Sequence, residues 1–249
     1  MTFLYLAAAG FVAWTVSTVA GGGGALILVP VVGFLIGAAA VAPVVTLATM
    51  LAEPARIYLF RRSIDWQIVR WYLPGAAVGA FAGAWLFAEI AAEWLQIVLG
   101  LFLLSTIWQY RLGERRKSFP VKLWYFLPVG LGVSFVSGLI GTMGPVLNPL
   151  YLNYGAVKER MIATKSLNSF VMHIVKVSTY AAFGALTGRL FLYGVAAGAG
   201  AMSANWLGKR LLAGMSDRRF RQLVIAVMAV SGAIMIWGQR EALLALLGA

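Results

Sequence analysis

Apolar runs follow one another along this chain with almost nothing between them, at about 4–20, 25–38, 43–60, 66–88, 93–110, 123–140, 145–155, 163–184, 190–208 and 220–238. One membrane span needs roughly 20 apolar residues, so a chain of this length has room for about six to eight crossings and little else. The 249 residues are 61% hydrophobic and 11% charged, against about 25% charged in soluble domains. Lipid admits only backbones that satisfy their own hydrogen bonds. The chain therefore reads as an all-α polytopic membrane protein with no separate soluble domain. Cys is absent, which removes disulfides, thiolate metal sites and cysteine catalysis. One His and eight carboxylates argue against a multi-ligand metal cluster, and no cofactor is expected. The opening MTFLYLAAAG has no positive n-region and reads as a retained first segment.

The net charge of +12 is not the footprint of a nucleic-acid binder, because the basic residues sit in short clusters between apolar runs. Arg56, Arg61, Arg62 and Arg70 flank one loop, and Arg111, Arg115, Arg116, Lys117 and Lys122 fill the next. Lys158, Arg160 and Lys165 form a third cluster, and Lys209, Arg210, Arg218, Arg219 and Arg221 a fourth. By the positive-inside rule these face the cytoplasm, while the loops near Glu89 and Glu93, near 185–189 and at the C-terminal end face outward. Segment 123–157 then begins and ends inside, so it is a hairpin bent at Gly141–Gly144. Segment 4–38 is its counterpart, bent at Gly21–Gly24. The expected organisation is a first repeat over 1–112, a cytoplasmic basic connector over 113–122 and a second repeat over 123–249. Each repeat is a broken-helix hairpin plus three spans, and the two are oppositely oriented.

Internal similarity supports this division. At an offset of 120, Gly10, Ser17, Gly21, Gly24 and Leu47 fall on Gly130, Ser137, Gly141, Gly144 and Leu167. At 121, Tyr72, Gly79, Ala80, Trp85 and Leu86 fall on Tyr193, Gly200, Ala201, Trp206 and Leu207. Inverted repeats with broken helices are a hallmark of secondary transporters.

A bend inside the bilayer strands backbone N–H and C=O groups, at several kcal/mol each, unless it faces protein or a wet cavity. The second arm of each hairpin aims a helix N-terminus, with free N–H groups and the positive dipole end, at its own bend. Pro145 suits a first helical position, where its missing N–H costs nothing. Two such bends meeting near the midplane would hold a small anion. The expected binding residues are Gly22, Gly23, Gly24, Ala25, Gly141, Thr142, Met143, Gly144, Asn168, Ser169 and Lys176. Lys176 is the cation at mid-depth, and the repeat places it opposite Arg56. Glu53, Arg56 and His173 are candidates for coupling or charge pairing: Glu53 with Arg56, and His173 with Lys176, are spaced i,i+3. Arg56 also lies close enough to Arg61 for its side chain to snorkel to the surface. Trp66, Trp71, Trp94, Trp108, Trp124 and Trp237 fall near span ends, as interfacial anchors do.

With these features the chain resembles the sulfite exporter TauE/SafE family. The residues carrying the resemblance are STVAGGGG at 17–24 with Pro30, and SGLIGTMG at 137–144 with Pro149. The Ala163–Thr164 pair and the helices holding Gly79, Gly83 and Gly200 fit as well. The second motif departs from the glycine-rich form at Thr142–Met143. The resemblance implies a non-enzymatic carrier in the cytoplasmic (inner) membrane, moving sulfite, sulfonates or other small organic anions, with export favoured. An anion channel of the same architecture is the alternative. An intramembrane hydrolase built on Ser137 and His173 is a weaker one, since Phe135 stands where such a serine usually follows a glycine. Small-residue faces such as Gly75–Gly83 would suit either a homodimer or packing within one chain.

Overall fold

The computed structural model describes residues 1–37, 40–87, 119–142 and 144–238. The expected span 93–110, the loop at Glu89 and Glu93, connector residues 113–118, Trp94, Trp108 and Met143 lie outside the described residues. Regular structure among the described residues is helical throughout, without strands. The helices are α1 (Thr2–Val19), α2 (Gly24–Ile36), α3 (Val41–Phe60), α4 (Trp66–Leu86), α5 (Phe126–Ile140), α6 (Asn148–Tyr154), α7 (Lys158–Ala182), α8 (Gly188–Ala213) and α9 (Asp217–Gly238). The Asp65 carboxylate accepts from the amides of Gln67 and Ile68 and so starts α4. Thr187 caps α8 in the same way through Leu190 N–H.

Helices α3, α4, α7, α8 and α9 have 20 to 26 residues, and at 1.5 Å per residue each reaches the roughly 30 Å of a hydrocarbon core. By contrast α2 has 13 residues and α6 only 7, so both are half-length arms. Only α1 and α8 are both long and apolar enough, by composition, to count as spans among the described residues. That is fewer than the run of apolar segments suggests. The reason is visible in α3 and α7: their polar residues Glu53, Arg56, Lys165, Asn168, His173 and Lys176 all point inward and are buried. Outward, the molecule presents Phe34, Val78, Phe81, Trp85, Phe191, Leu192, Trp206 and Val230. Charge inside and aromatic or aliphatic side chains outside is the arrangement a lipid environment selects.

Packing relies on missing side chains. A Cβ on Gly75, Gly79 or Gly83 of α4 would fall 1.9–2.2 Å from a carbonyl oxygen of Leu127, Leu131 or Phe135 on α5. A Cβ on Gly10 of α1 would lie 2.1 Å from Ala197 O of α8, and one on Gly200 of α8 would lie 1.9 Å from Ala7 O. The α4–α5 and α1–α8 pairs are therefore backbone-to-backbone contacts of the small-residue kind. The Gly75–Gly83 face is used within the chain, which removes it as the surface of a dimer.

Among the described residues, the basic clusters around Arg61, Lys158 and Lys209 gather at one end. Arg160 pairs with Asp65 at 2.5 Å, Lys158 with Asp217 at 3.8 Å, and Lys209 donates to Leu59 O at 3.2 Å. The ends of α3 and α8 thus lie beside the starts of α4, α7 and α9. The half-exposed Trp66, Trp71 and Trp124 belong to helix starts, and Trp237 to a helix end, as interfacial anchoring requires.

Gly83→Ala pushes a methyl into the Phe135 carbonyl and should cost about 1–3 kcal/mol of stability. Gly132→Ala, whose new methyl meets nothing within 4 Å, should leave the detergent-solubilised protein as stable or slightly more so. Equal thermal midpoints for the two variants would contradict this packing.

Candidate functional site

Two helices stop inside the protein. α1 ends at Val19, and Gly21, Gly22 and Gly23 follow at φ 67°, 133° and 96°. Only glycine adopts such values without strain. The chain then turns into α2, whose N-cap Gly23 provides no side-chain hydrogen bond. The first N–H groups of α2 are consequently free of intrahelical partners and of a capping side chain. α5 ends likewise at Gly141, φ 97°. Beyond Gly141 the backbone departs from the sequence expectation. A 3₁₀ turn, Gly144–Leu147, precedes the short α6, and the proline in the first α-turn is Pro149 rather than Pro145. The second arm therefore has a weaker dipole than the first, because seven residues align fewer peptide units.

The two breaks touch. A Cβ on Gly144 would lie 3.8 Å from Gly23 N, and one on Gly22 would lie 3.8 Å from Gly144 C. A Cβ on Gly22 would also come within 2.9 Å of Lys165 Nζ, and one on Gly24 within 2.8 Å of Ala13 O. Side chains are excluded where the backbones converge.

Buried cations hold the broken ends. Lys165 Nζ donates to Gly21 O at 2.6 Å and to Gly144 O at 3.0 Å, and it also bonds Asn148 Oδ1. Lys176 Nζ donates to Gly141 O at 2.9 Å and Ser137 Oγ at 3.2 Å. Tyr180 OH reaches Gly138 O at 2.6 Å. Gly21 O lies just past the carbonyl end of α1, and Gly138 O and Gly141 O at that of α5, the negative poles of those dipoles, where cations are favoured. Gly144 O and Asn148 Oδ1 belong instead to the start of the second arm. Arg56 donates to Asn205 Oδ1 at 3.1 Å, Thr18 Oγ1 at 2.9 Å and Ser17 Oγ at 3.4 Å, and lies 3.9 Å from Glu53. It is 6% exposed, so it is an internal residue and does not snorkel. Asn205 is itself anchored by its Nδ2 on Ala52 O at 2.8 Å.

A cavity of about 60 Å³ lies where these groups converge, several times the roughly 10–15 Å³ that admits one water. Gly21, Gly22, Gly23, Gly24 and Ala25 line it from the first break, Thr142 and Gly144 from the second. Glu53 and Arg56 come from α3, and Lys165, Ser166, Asn168, Ser169, Met172 and His173 from α7. The Ser166 hydroxyl faces the Glu53 carboxyl. Five lining residues carry a buried polar atom with no hydrogen-bond partner among the described residues: Trp14 Nε1, Glu53 Oε2, Ser166 Oγ, Asn168 Oδ1 and His173 Nδ1. Buried polar atoms without partners are rare, and a polar guest in the cavity would satisfy them. The formal charges on the described lining are Arg56 and Lys165 against Glu53, with His173 neutral, leaving one net positive charge.

Most residues singled out from sequence meet here. Gly22, Gly23, Gly24, Ala25, Thr142, Gly144, Asn168, Ser169, Glu53, Arg56 and His173 all line the cavity. Gly141 and Lys176 do not. The Lys176 amine is turned toward the end of α5, where it completes the Gly141 carbonyl rather than opening onto the cavity. Ser137 accepts from Lys176, and no hydrogen bond joins it to His173 among the described residues, so the pair lacks the geometry of a nucleophile and its base. The sequence groups Lys165 with the cytoplasmic cluster of Lys158 and Arg160, yet it is 9% exposed and sits at the junction of the breaks. The signal that would find it is helical spacing. Lys165, Asn168, Ser169, Met172 and His173 occupy one face of α7 at i, i+3, i+4, i+7 and i+8. Trp14, which lines the cavity, and Asn205, which holds Arg56, are further additions.

Neither the curated proteins nor the solved structures contain a match to this chain. The family model for sulfite exporter TauE/SafE matches residues 6–235, a stretch that includes both glycine breaks and every described lining residue of the cavity. The chain therefore belongs to the TauE/SafE sulfite exporter family of membrane transporters.

Proposed function

We propose that this protein is a secondary carrier that exports a small sulfur-containing or organic monoanion, sulfite or a sulfonate, across the cytoplasmic membrane as a multi-pass protein. The anion occupies the cavity between the two breaks. One observation carries this reading: a buried polar cavity bounded by the free N–H end of α2 and by two buried cations, with a net charge of +1. A charge of that sign and size balances one negative guest. The N–H groups of Gly23, Gly24 and Ala25 and the hydroxyls of Thr142 and Ser169 supply donors to an oxyanion. Arg56 supplies charge from one side and Lys165 from the other, while Lys176 positions the second break. Export needs no further driving force, since an interior-negative potential acting on one charge supplies about 2.3 kcal/mol per 100 mV.

The transport cycle in this proposal uses two inverted repeats, and the pattern of contacts supports it. Exchanging α1 with α5 and α4 with α8 turns the α1–α8 pair into the α5–α4 pair, and those are the two most extensive helix contacts. The same exchange maps α3 against α8 onto α7 against α4, both of which are also packed. Arg56 bonds Ser17 as Lys176 bonds Ser137, at matching positions of the offset of 120. Rocking one repeat against the other around the junction of the breaks would expose the cavity to each side in turn.

Reconstituted in proteoliposomes, the protein should carry radiolabelled sulfite with flux that saturates with concentration and falls when unlabelled sulfonate is added. No movement of sulfite, sulfonate or short carboxylate would refute the reading. Linear, non-saturating flux would favour the channel alternative. Gly22→Ala places a methyl near Lys165 Nζ at a strained φ and should lower the flux at least about tenfold while the protein still folds. Unchanged flux would remove the first break from the anion's path.

A further inference from the structure

The environment of Lys165 differs from that of the other buried cations. Arg56 has a carboxylate, Glu53, at 3.9 Å. Lys176 has one carbonyl and one hydroxyl. Lys165 has three neutral oxygens, Gly21 O, Gly144 O and Asn148 Oδ1. Among the described residues no carboxylate stands within 4.0 Å of its amine. Asn148 is fully buried, and Lys165 is nearly so.

Two of the three oxygens are backbone carbonyls at the breaks, Gly21 just past the end of α1 and Gly144 at the head of the 3₁₀ turn, and they come from different hairpins. Carbonyls of unwound helix, together with the C-terminal ends of half-helices, are the ligands with which secondary transporters bind coupling sodium ions. Hard cations select oxygen donors of this type. Three oxygen dipoles converging in a buried place repel one another unless a positive charge lies between them.

We propose that the Lys165 ammonium is a resident cation. It occupies an oxygen cage that would otherwise take a monovalent metal ion, it ties the first break to the second, and it makes transport independent of sodium. This rests on the carrier reading above, but its test has a part that does not. The chain brings its own cation on α7, delivered through a flexible four-carbon stem, and the amine stays beside the anion cavity that it also lines. An anion arriving there meets the fixed charge already in place.

Removing the stem should expose the cage. Full-length wild type, Lys165→Ala, Lys165→Ser and Lys165→Gln are compared in sodium, potassium and choline chloride at equal ionic strength. Radiolabelled sulfite flux into proteoliposomes is one readout, and the thermal unfolding midpoint in detergent is the other. Wild-type flux and midpoint should be the same in sodium and choline. In choline, Lys165→Ala flux should fall at least about tenfold. Sodium should restore at least about fivefold of that loss and raise the midpoint of Lys165→Ala or Lys165→Ser by several degrees. Sodium-dependent wild-type flux would overturn the proposal, as would a Lys165→Ala protein that keeps its flux in choline or gains nothing from any cation. So would failure of both small variants to fold in sodium while Lys165→Gln folds. If wild type moves no sulfite, the carrier reading fails, and the sodium dependence of the variants' unfolding midpoints still decides whether the cage takes a cation.

Discussion

A helix that stops inside a membrane protein must find partners for its stranded backbone groups, and the layout of this protein is organised around how that is done. The carbonyl ends of the two broken helices are completed by cations carried on α7, Lys165 for one and Lys176 for the other. The amide end of α2 is left open. Backbone donors and acceptors are thereby separated: the carbonyls at the ends of the broken helices are used internally, and the first amides of α2 remain open. Spare N–H groups, a net positive formal charge and no room for side chains are the features on which the proposed binding of a small anion rests.

Charges this deep are costly, and each is surrounded. Breaking a buried ionic network by removing one partner commonly costs about 3–5 kcal/mol, because the other is left uncompensated. Arg56 is tied to α1 and α8 through Thr18, Ser17 and Asn205, so the helix that brings the charge also links elements far apart in sequence. α7 plays the corresponding part with Lys165 and Lys176. The two long polar helices, α3 and α7, pack against each other and form the spine on which the broken hairpins rest. Around them, glycine faces on α4 and α8 let the outer pairs approach to backbone contact, which substitutes for a hydrophobic drive that lipid does not provide.

Much of this was legible in the sequence. The glycine runs at 21–24 and 141–144 marked the breaks, because glycines clustered at the same place in two apolar hairpins point to backbone that leaves the helix there, and positive φ values are found in both. The short runs beyond them announced half-length arms. Charge clusters identified the end of the molecule where the starts of α4, α7 and α9 meet. What escaped was the direction of single side chains. Lys165 lies seven residues beyond Lys158 in a run of basic residues, and clustering along the chain hid the turn of helix that carries it inside. Lys176 stood out by depth, yet depth does not say whether an amine faces a cavity or a carbonyl. The 3₁₀ turn at Gly144–Leu147 was likewise beyond reach, since a proline at a helix start is compatible with either geometry.

Both breaks bordering one buried, anion-holding cavity is the arrangement on which transport here would depend. Because the chain contains no Cys, a single cysteine at Thr142 reports on it directly. Labelling of the Thr142→Cys protein in membranes with a small, charged thiol reagent should be slow and should slow further, several-fold, as sulfite is added. Fast labelling at the rate of an exposed loop cysteine, unaffected by sulfite or any sulfonate, would be incompatible with such a cavity.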